Sequence, residues 1–190
     1  MQEKTRCSWS ISDPLYVEYH DREWGVPVHD DRKQFEFLVL ESAQAGLSWL
    51  TILKRREGYR RLYAGFDVEQ IASFDETKIN IMLQDPGIIR NRKKIESSIN
   101  NAQRFLEIKE QHGSFCNYLW NFTDGKQVVN HFNNMDQLPA TSPLSDVVYK
   151  DMKKKGFKFL GSTILYAHLQ ATGLVNDHLV DCFRHAECIE

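Results

Sequence analysis

The chain has 190 residues, 42% of them hydrophobic and 26% charged, with a formal net charge of −2. That is the balance of one ordinary globular domain, which excludes a disordered tail, a collagen-like repeat and a charge-dominated linker. No run of about 18 uncharged apolar residues is present to span a membrane, and no apolar signal-peptide core stands at the start, so a cytoplasmic protein (bacterial cytosol or nucleoid) without a membrane partner is expected.

Helical periodicity runs through most of the chain. Asp13-Pro14 pairs an N-cap with proline at the first helical position and predicts a helix through His20. Residues 31–45 form a longer helix, with Phe35, Leu38 and Ser42 on one stripe beside Phe37, Leu40 and Gln44. Another is predicted over residues 48–63, ending near Gly65, and Asp67 and Asp75 read as caps of two short helices. Residues 90–111 are the longest periodic segment, with Ile95, Ile99, Ala102, Phe105 and Leu106 inward and Gly113 as the stop; residues 114–122 offer one more short helix. Residues 123–143 hold Asp124-Gly125, Pro139 and Pro143 and read as a connection, with at most a short extended piece over 127–131. The pattern returns over residues 144–155, breaks at Gly156, restarts after Gly161 through Ala171, and leaves a last turn or two after Asn176. With no repeat and no linker, the expectation is an all-α fold in a single domain over residues 1–190, with room for two lobes and a cleft.

The charge is unevenly placed. Residues 54–61, 90–94 and 150–158 each carry a net +4, leaving −14 for the rest of the chain. Three solvated helix faces would explain this, and so would a basic surface that meets a polyanion.

Four groups of residues could carry chemistry. Cys7, His20, His178 and Cys182 amount to a closed tetrahedral zinc set, structural because no coordination position stays open. His178 and Cys182, four apart, would share one face of a helix; the other reading is core cysteines and surface histidines. Cys116 reads as core and Cys188 as a stray thiol in the tail. Trp9, Tyr16, Tyr19, Trp24 and Trp49 crowd the first 49 residues, either as core or as flat walls for a nucleobase. Glu41 falls on the apolar stripe of its helix, where a carboxylate is costly unless it is hydrogen-bonded or has a task. The string KKKGFKFLGST sets two glycines around a short turn between helices. That is either an ordinary helical hairpin or one whose backbone N–H groups meet a DNA phosphate.

DPLYVEYHDREWGVP, LESAQAGLSWLTILKRRE, PGIIRNRKKI and KKGFKFLGSTILYAHLQATGLVNDHLVDC, in this order, resemble the 3-methyladenine DNA glycosylase I (Tag) family within the helix-hairpin-helix glycosylases. The resemblance spans Cys7 to Cys182. It implies a two-lobed helical fold and excision of 3-methyladenine from double-stranded alkylated DNA by base flipping, leaving an abasic site, in a chain expected to be a monomer. It puts one structural Zn²⁺ on Cys7, His20, His178 and Cys182, joining the N- and C-terminal segments. Glu41 falls on the catalytic and base-reading position, with Tyr19 and Trp49 against the base and Trp9, Tyr16 and Trp24 completing the wall. Gly46 and Leu47 fall at the lesion, and Gly156, Phe157, Lys158, Phe159, Leu160 and Gly161 on the DNA-contacting hairpin. Residues 123–143 and the tail beyond Cys182 match poorly, and no site is expected there.

The wider superfamily places a catalytic Asp where this chain has Asn176, and bifunctional relatives carry a nucleophilic Lys shortly after the hairpin. Residues 162–178 contain no Lys, so a Schiff base from that position is excluded and a monofunctional glycosylase is expected. Two other readings stand beside this one. A zinc-stapled DNA-binding module without catalysis would leave the pocket Glu without purpose, and a zinc hydrolase would need an open coordination position.

Overall fold

Side-chain caps start most of the helices among the described residues, those at Asp13, Asp67 and Asp75 as the sequence anticipates. The computed structural model describes residues 4–189. A 3₁₀ turn over Ser8–Ser12 leads to α1 (Pro14–Arg22), where the Asp13 carboxylate accepts from Leu15 N at 2.9 Å. Asp30 caps α2 (Asp31–Gln44), accepting from Lys33 N at 2.7 Å. The expected helix over residues 48–63 is two: α3 (Trp49–Leu53), capped by Ser48, and α4 (Arg56–Leu62). The break at Lys54 and Arg55 turns Arg56 back to Glu23 and Glu36, at 2.6 and 2.7 Å, an attachment that helical periodicity does not reveal.

Asp67 and Asp75 cap α5 (Val68–Ala72) and α6 (Glu76–Gln84). Helix α7 (Arg92–His112) begins at its Asn91 cap and stops at Gly113; α8 (Phe115–Trp120) follows. Helix α9 (Pro143–Lys154) opens with a Ser142/Ser145 capping box, and a tight turn joins it to α10 (Ser162–Ala171). The fold is mainly helical, with one exception to the all-α expectation. β1 (Val128–Val129), inside the expected extended piece, pairs in parallel with β2 (Val175–Asn176), just before α11 (Phe183–Glu187).

Helix α2 runs through the middle of the core. Gln34 to Ala43 are all buried, so the apolar stripe understates a helix enclosed on every side. The main core gathers Phe35, Leu38, Phe105, Phe115, Leu165 and their neighbours. A smaller cluster joins Cys7, Tyr19, Trp24, Phe37, Leu179 and Cys182, bringing the N- and C-terminal segments together. Cys116 is core, as expected. Cys188 is not a stray thiol: it is 3% exposed, because the tail folds back and Gln127 Nε2 donates to its carbonyl at 2.9 Å. No helix among the described residues is long and apolar enough to cross a membrane.

Candidate functional site

Helix α1 supplies Tyr19 on its inner face, the preceding 3₁₀ turn supplies Trp9, and the turn after α1 supplies Trp24. With Trp49 at the start of α3 they wall a cavity of about 230 Å³ whose other lining includes Glu41 and Gln44 from α2. The rings meet edge-on or tilted: Trp9 and Trp24 at 5.1 Å between centroids, Tyr19 and Trp49 at 5.4 Å. That leaves faces free to stack on a flat guest. Tyr16 is displaced from the wall; it backs Trp9 edge-on at 5.7 Å, and its hydroxyl accepts from Leu50 N at 3.0 Å.

Glu41 is 4% exposed, and no hydrogen bond or ion pair holds its carboxylate among the described residues. Burial pushes its carboxyl up to about 8, which favours the neutral acid. A cation placed beside it would reverse that preference. Burial, and then the neighbouring Glu41, raise the Tyr19 phenol. The Trp49 indole N–H is also buried without a partner among the described residues. A carboxylate that no protein group holds among the described residues marks the cavity as a place built for a polar guest.

A second cavity of about 240 Å³ shares Glu41, Gln44 and Ala167 with the first and continues to Ala45, Gly46, Leu47 and Thr163. Gly46 turns the chain at φ +81°, in the left-handed region, and Leu47 is 40% exposed beside it. The groove thus runs from the aromatic pocket to an apolar side chain on the surface.

Cys7, His20, His178 and Cys182 come together with their ligand atoms all within 4.8 Å of one another. Cys182 Sγ lies 3.4 Å from His20 Nε2 and 3.6 Å from His178 Nδ1, and Cys7 Sγ lies 3.7 Å from His178 Nδ1. Tetrahedral bonds of zinc length to sulfur and nitrogen put ligand atoms roughly 3.3 to 3.8 Å apart, so the donor set fits that cation. The outer ring nitrogens are held as well, His20 Nδ1 by Asp21 at 2.9 Å and His178 Nε2 by Trp24 O at 2.9 Å. The hydrogen bond from Cys7, then those of His178 and His20, hold the Cys182 thiol well below its ordinary range. One expectation is corrected: His178 and Cys182 do not share a helix face. They stand in the loop between β2 and α11, where Cys182 N donates to Leu179 O at 2.8 Å and folds the two ligands together.

The turn between α9 and α10 carries Gly156 to Gly161. Phe159 takes φ +58° and is 37% exposed; Lys158 is exposed and Phe157 buried. Asn101 on α7 clamps the turn, donating to Lys158 O at 2.9 Å and accepting from Lys158 N at 2.8 Å. Asn176 is buried and spent on structure, donating to His185 O at 2.9 Å and accepting from His178 N at 3.2 Å. The neighbouring Asp177 is saturated by Tyr166, Gln170 and Asn130. Neither offers a free base.

The three basic stretches are not equivalent. In residues 54–61, Lys54 pairs with Asp13, Arg56 with Glu23 and Glu36, Arg60 with Glu57 and Arg61 with Asp85. Arg92 pairs with Glu76. Among the described residues no ion pair holds Arg90, Lys93, Lys154 or Lys158.

The sequence left five wall residues unnamed. Gln44 lies one turn beyond Glu41, and Ala167 and Gln170 lie one turn apart on α10, so helical phase could have found them. Met135 and Leu138 come from residues 123–143, where no site was expected; nothing local marks them, because a 3₁₀ turn over Met135–Gln137 carries that connection back across the pocket.

Residues 9–185 match the family model for methyladenine glycosylase. The chain is 45% identical over 177 residues to DNA-3-methyladenine glycosylase 1 of Escherichia coli (strain K12), covering 93% of this chain and 95% of that protein. A crystal structure of 3-methyladenine DNA glycosylase I is similar with a TM-score of 0.90 at 48% identity, covering 94% of this chain and 98% of that one. A tyrosine-to-phenylalanine variant of such an enzyme in complex with 3-methyladenine gives 0.91 at 37% identity, covering 94% and 96%.

Proposed function

The chain belongs to the methyladenine glycosylase family, and from that premise we propose how it excises 3-methyladenine from alkylated DNA. The observation that carries the reading is the unpartnered carboxylate of Glu41, buried at the end of an aromatic cavity. An N3-methylated adenine still attached to its sugar is cationic. Its glycosidic bond is already weakened, and the base leaves neutral. The protein need only extrude the nucleotide from the duplex, hold the base and admit water to the sugar carbon. DNA phosphates favour the positive charge that develops on the sugar.

Glu41 accepts from the amino edge of the flipped base and supplies negative potential, while Tyr19, Trp49, Trp9 and Trp24 enclose its faces. A cation–π gain of roughly 1–2 kcal/mol goes with desolvating such a pair. Gly46 and Leu47 occupy the gap left in the duplex. The turn from Gly156 to Gly161 acts as a helix-hairpin-helix grip, the N–H groups of Phe159 to Gly161 and those opening α10 directed at a phosphate. No residue near Asn176 needs to act as a base, in keeping with its structural hydrogen bonds. Cys7, His20, His178 and Cys182 would hold one zinc ion, which would staple the two ends of the chain together and take no part in bond cleavage. We read residues 1–190 as one glycosylase domain working as a cytoplasmic monomer on double-stranded DNA.

Incubation with methylated duplex DNA and chromatography of the released bases tests this. Free 3-methyladenine, an intact strand until alkali is added, and no covalent adduct under borohydride are expected. Absence of released base would overturn the enzymatic reading, and a trapped adduct would overturn monofunctional cleavage.

A further inference from the structure

We propose that Lys94 is a positioning residue which, through helix α7, holds the turn at Gly46 and Leu47 and the hairpin at Gly156 to Gly161 in one fixed relation. The proposal rests on the reading of those two segments as DNA contacts. Lys94 sits in the first turn of α7, inside a basic stretch, yet it is only 8% exposed. Its ammonium donates to Ala43 O at 2.8 Å and Ala45 O at 2.7 Å, carbonyls at the end of α2. Terminal carbonyls lack helical partners and carry the negative end of the helix dipole, so a cation there ties down the chain as it enters Gly46 and Leu47. The same ammonium lies 5.8 Å from the centre of the Phe159 ring, on the hairpin.

Asn101 stands seven residues further, two turns along the same face and roughly 10 Å away. It closes a two-way clamp on Lys158, and Asn100 donates to Gly156 O at 2.9 Å. One helix of 21 residues therefore grips both segments. Lys94 spends its charge on protein carbonyls and ring, not on solvent or phosphate. Burial accordingly draws its amine below the ordinary range.

Lys94→Met keeps the stem and removes the donors. Its affinity for a duplex bearing a stable abasic analogue should fall by about tenfold or more, as misplaced contacts do. Affinity for free 3-methyladenine, read by tryptophan fluorescence, should stay within about twofold. The slope of log affinity against log salt should be unchanged, whereas exposed Lys93→Met should lose about one unit as a phosphate contact does. Unchanged duplex affinity in the folded Lys94→Met protein would overturn the proposal, and so would a slope loss matching Lys93→Met. Phe159→Ala, at a half-exposed position, tests the same link without DNA. Amide hydrogen exchange over residues 45–48 should quicken although Phe159 lies on the other segment, and unchanged exchange there would refute the link. Failure of the wild-type protein to release 3-methyladenine counts against the glycosylase reading alone, since the exchange experiment requires no substrate.

Discussion

Glu41 shows how a single side chain can be unfavourable for the fold and useful at the site. No partner holds its carboxyl among the described residues, and burial pushes it up to about 8, well above the ordinary carboxylate range. A folded-state value raised above the unfolded one favours folding most below the unfolded value, and that contribution is lost as pH rises through about 8. Glu41→Gln should therefore gain little thermal stability over wild type at pH 5 and several degrees at pH 9, checked by melting curves across that range. A docked cation pulls the same equilibrium toward carboxylate. Affinity for a purinium that stays charged should thus climb with pH up to about 8 in the wild type and stay flat in Glu41→Gln. Excision of 3-methyladenine should fall in the order wild type, Glu41→Gln, Glu41→Ala. A loss of about 10- to 100-fold for Ala follows from a base amino group left unpaired in a dry site, at ~1–3 kcal/mol. Abasic-duplex affinity should barely move, since no base fills the pocket there; a parallel drop would show that Glu41 merely supports its helix.

At the level of elements, the turn after α1 joins the metal-ligand cluster to the pocket. Trp24 packs edge-on against His178 at 4.5 Å, and Trp9 lies 5.5 Å from His20, so two wall rings rest on two candidate ligands. Gly25 makes the approach possible. It sits at φ +80°, and a Cβ there would come 2.7 Å from His178 Nε2. Gly25→Ala is strained in its backbone and also displaces that imidazole. We expect less than one zinc per chain by elemental analysis, a lower melting temperature, and weaker free-base binding as Trp24 loosens. Zinc removal by a chelator should reproduce all three effects in the unmodified protein. A chelated protein that melts as before would remove the stapling role.

Across the whole molecule, a net charge of −2 still leaves cations able to meet DNA, because internal ion pairs hold most of the cations of residues 54–61 but fewer of those in the other two stretches. Arg61 pairs with Asp85 at 2.9 Å, far in sequence from the hairpin, whereas no ion pair holds Lys93 or Lys158 among the described residues. Replacing Lys93 or Lys158 with Glu should weaken duplex binding and lower its salt dependence by about one or two units, while Arg61→Glu should leave both unchanged. Equal effects at all three positions would mean that only net charge matters.

The helices and their ends were legible because capping and periodicity are decided within a turn or two: Asp13, Asp67, Asp75 and Gly113 act on neighbours a few residues away. Glu41 stood out for the same reason, a carboxylate on the apolar stripe of its helix. Its burial in an aromatic cavity needed segments from elsewhere in the chain. The break before Arg56, the loop that brings His178 to Cys182, and the return of Met135 and Leu138 across the pocket depend on partners distant in the chain. So does the difference between Arg61, paired with Asp85, and Lys93, which no ion pair holds among the described residues. Local chemistry determined which residues could form helices, bind a cation or face a base. Only packing between distant segments decided which of those capacities met at one place, because the energy of each such contact exists only once the chain has closed around it.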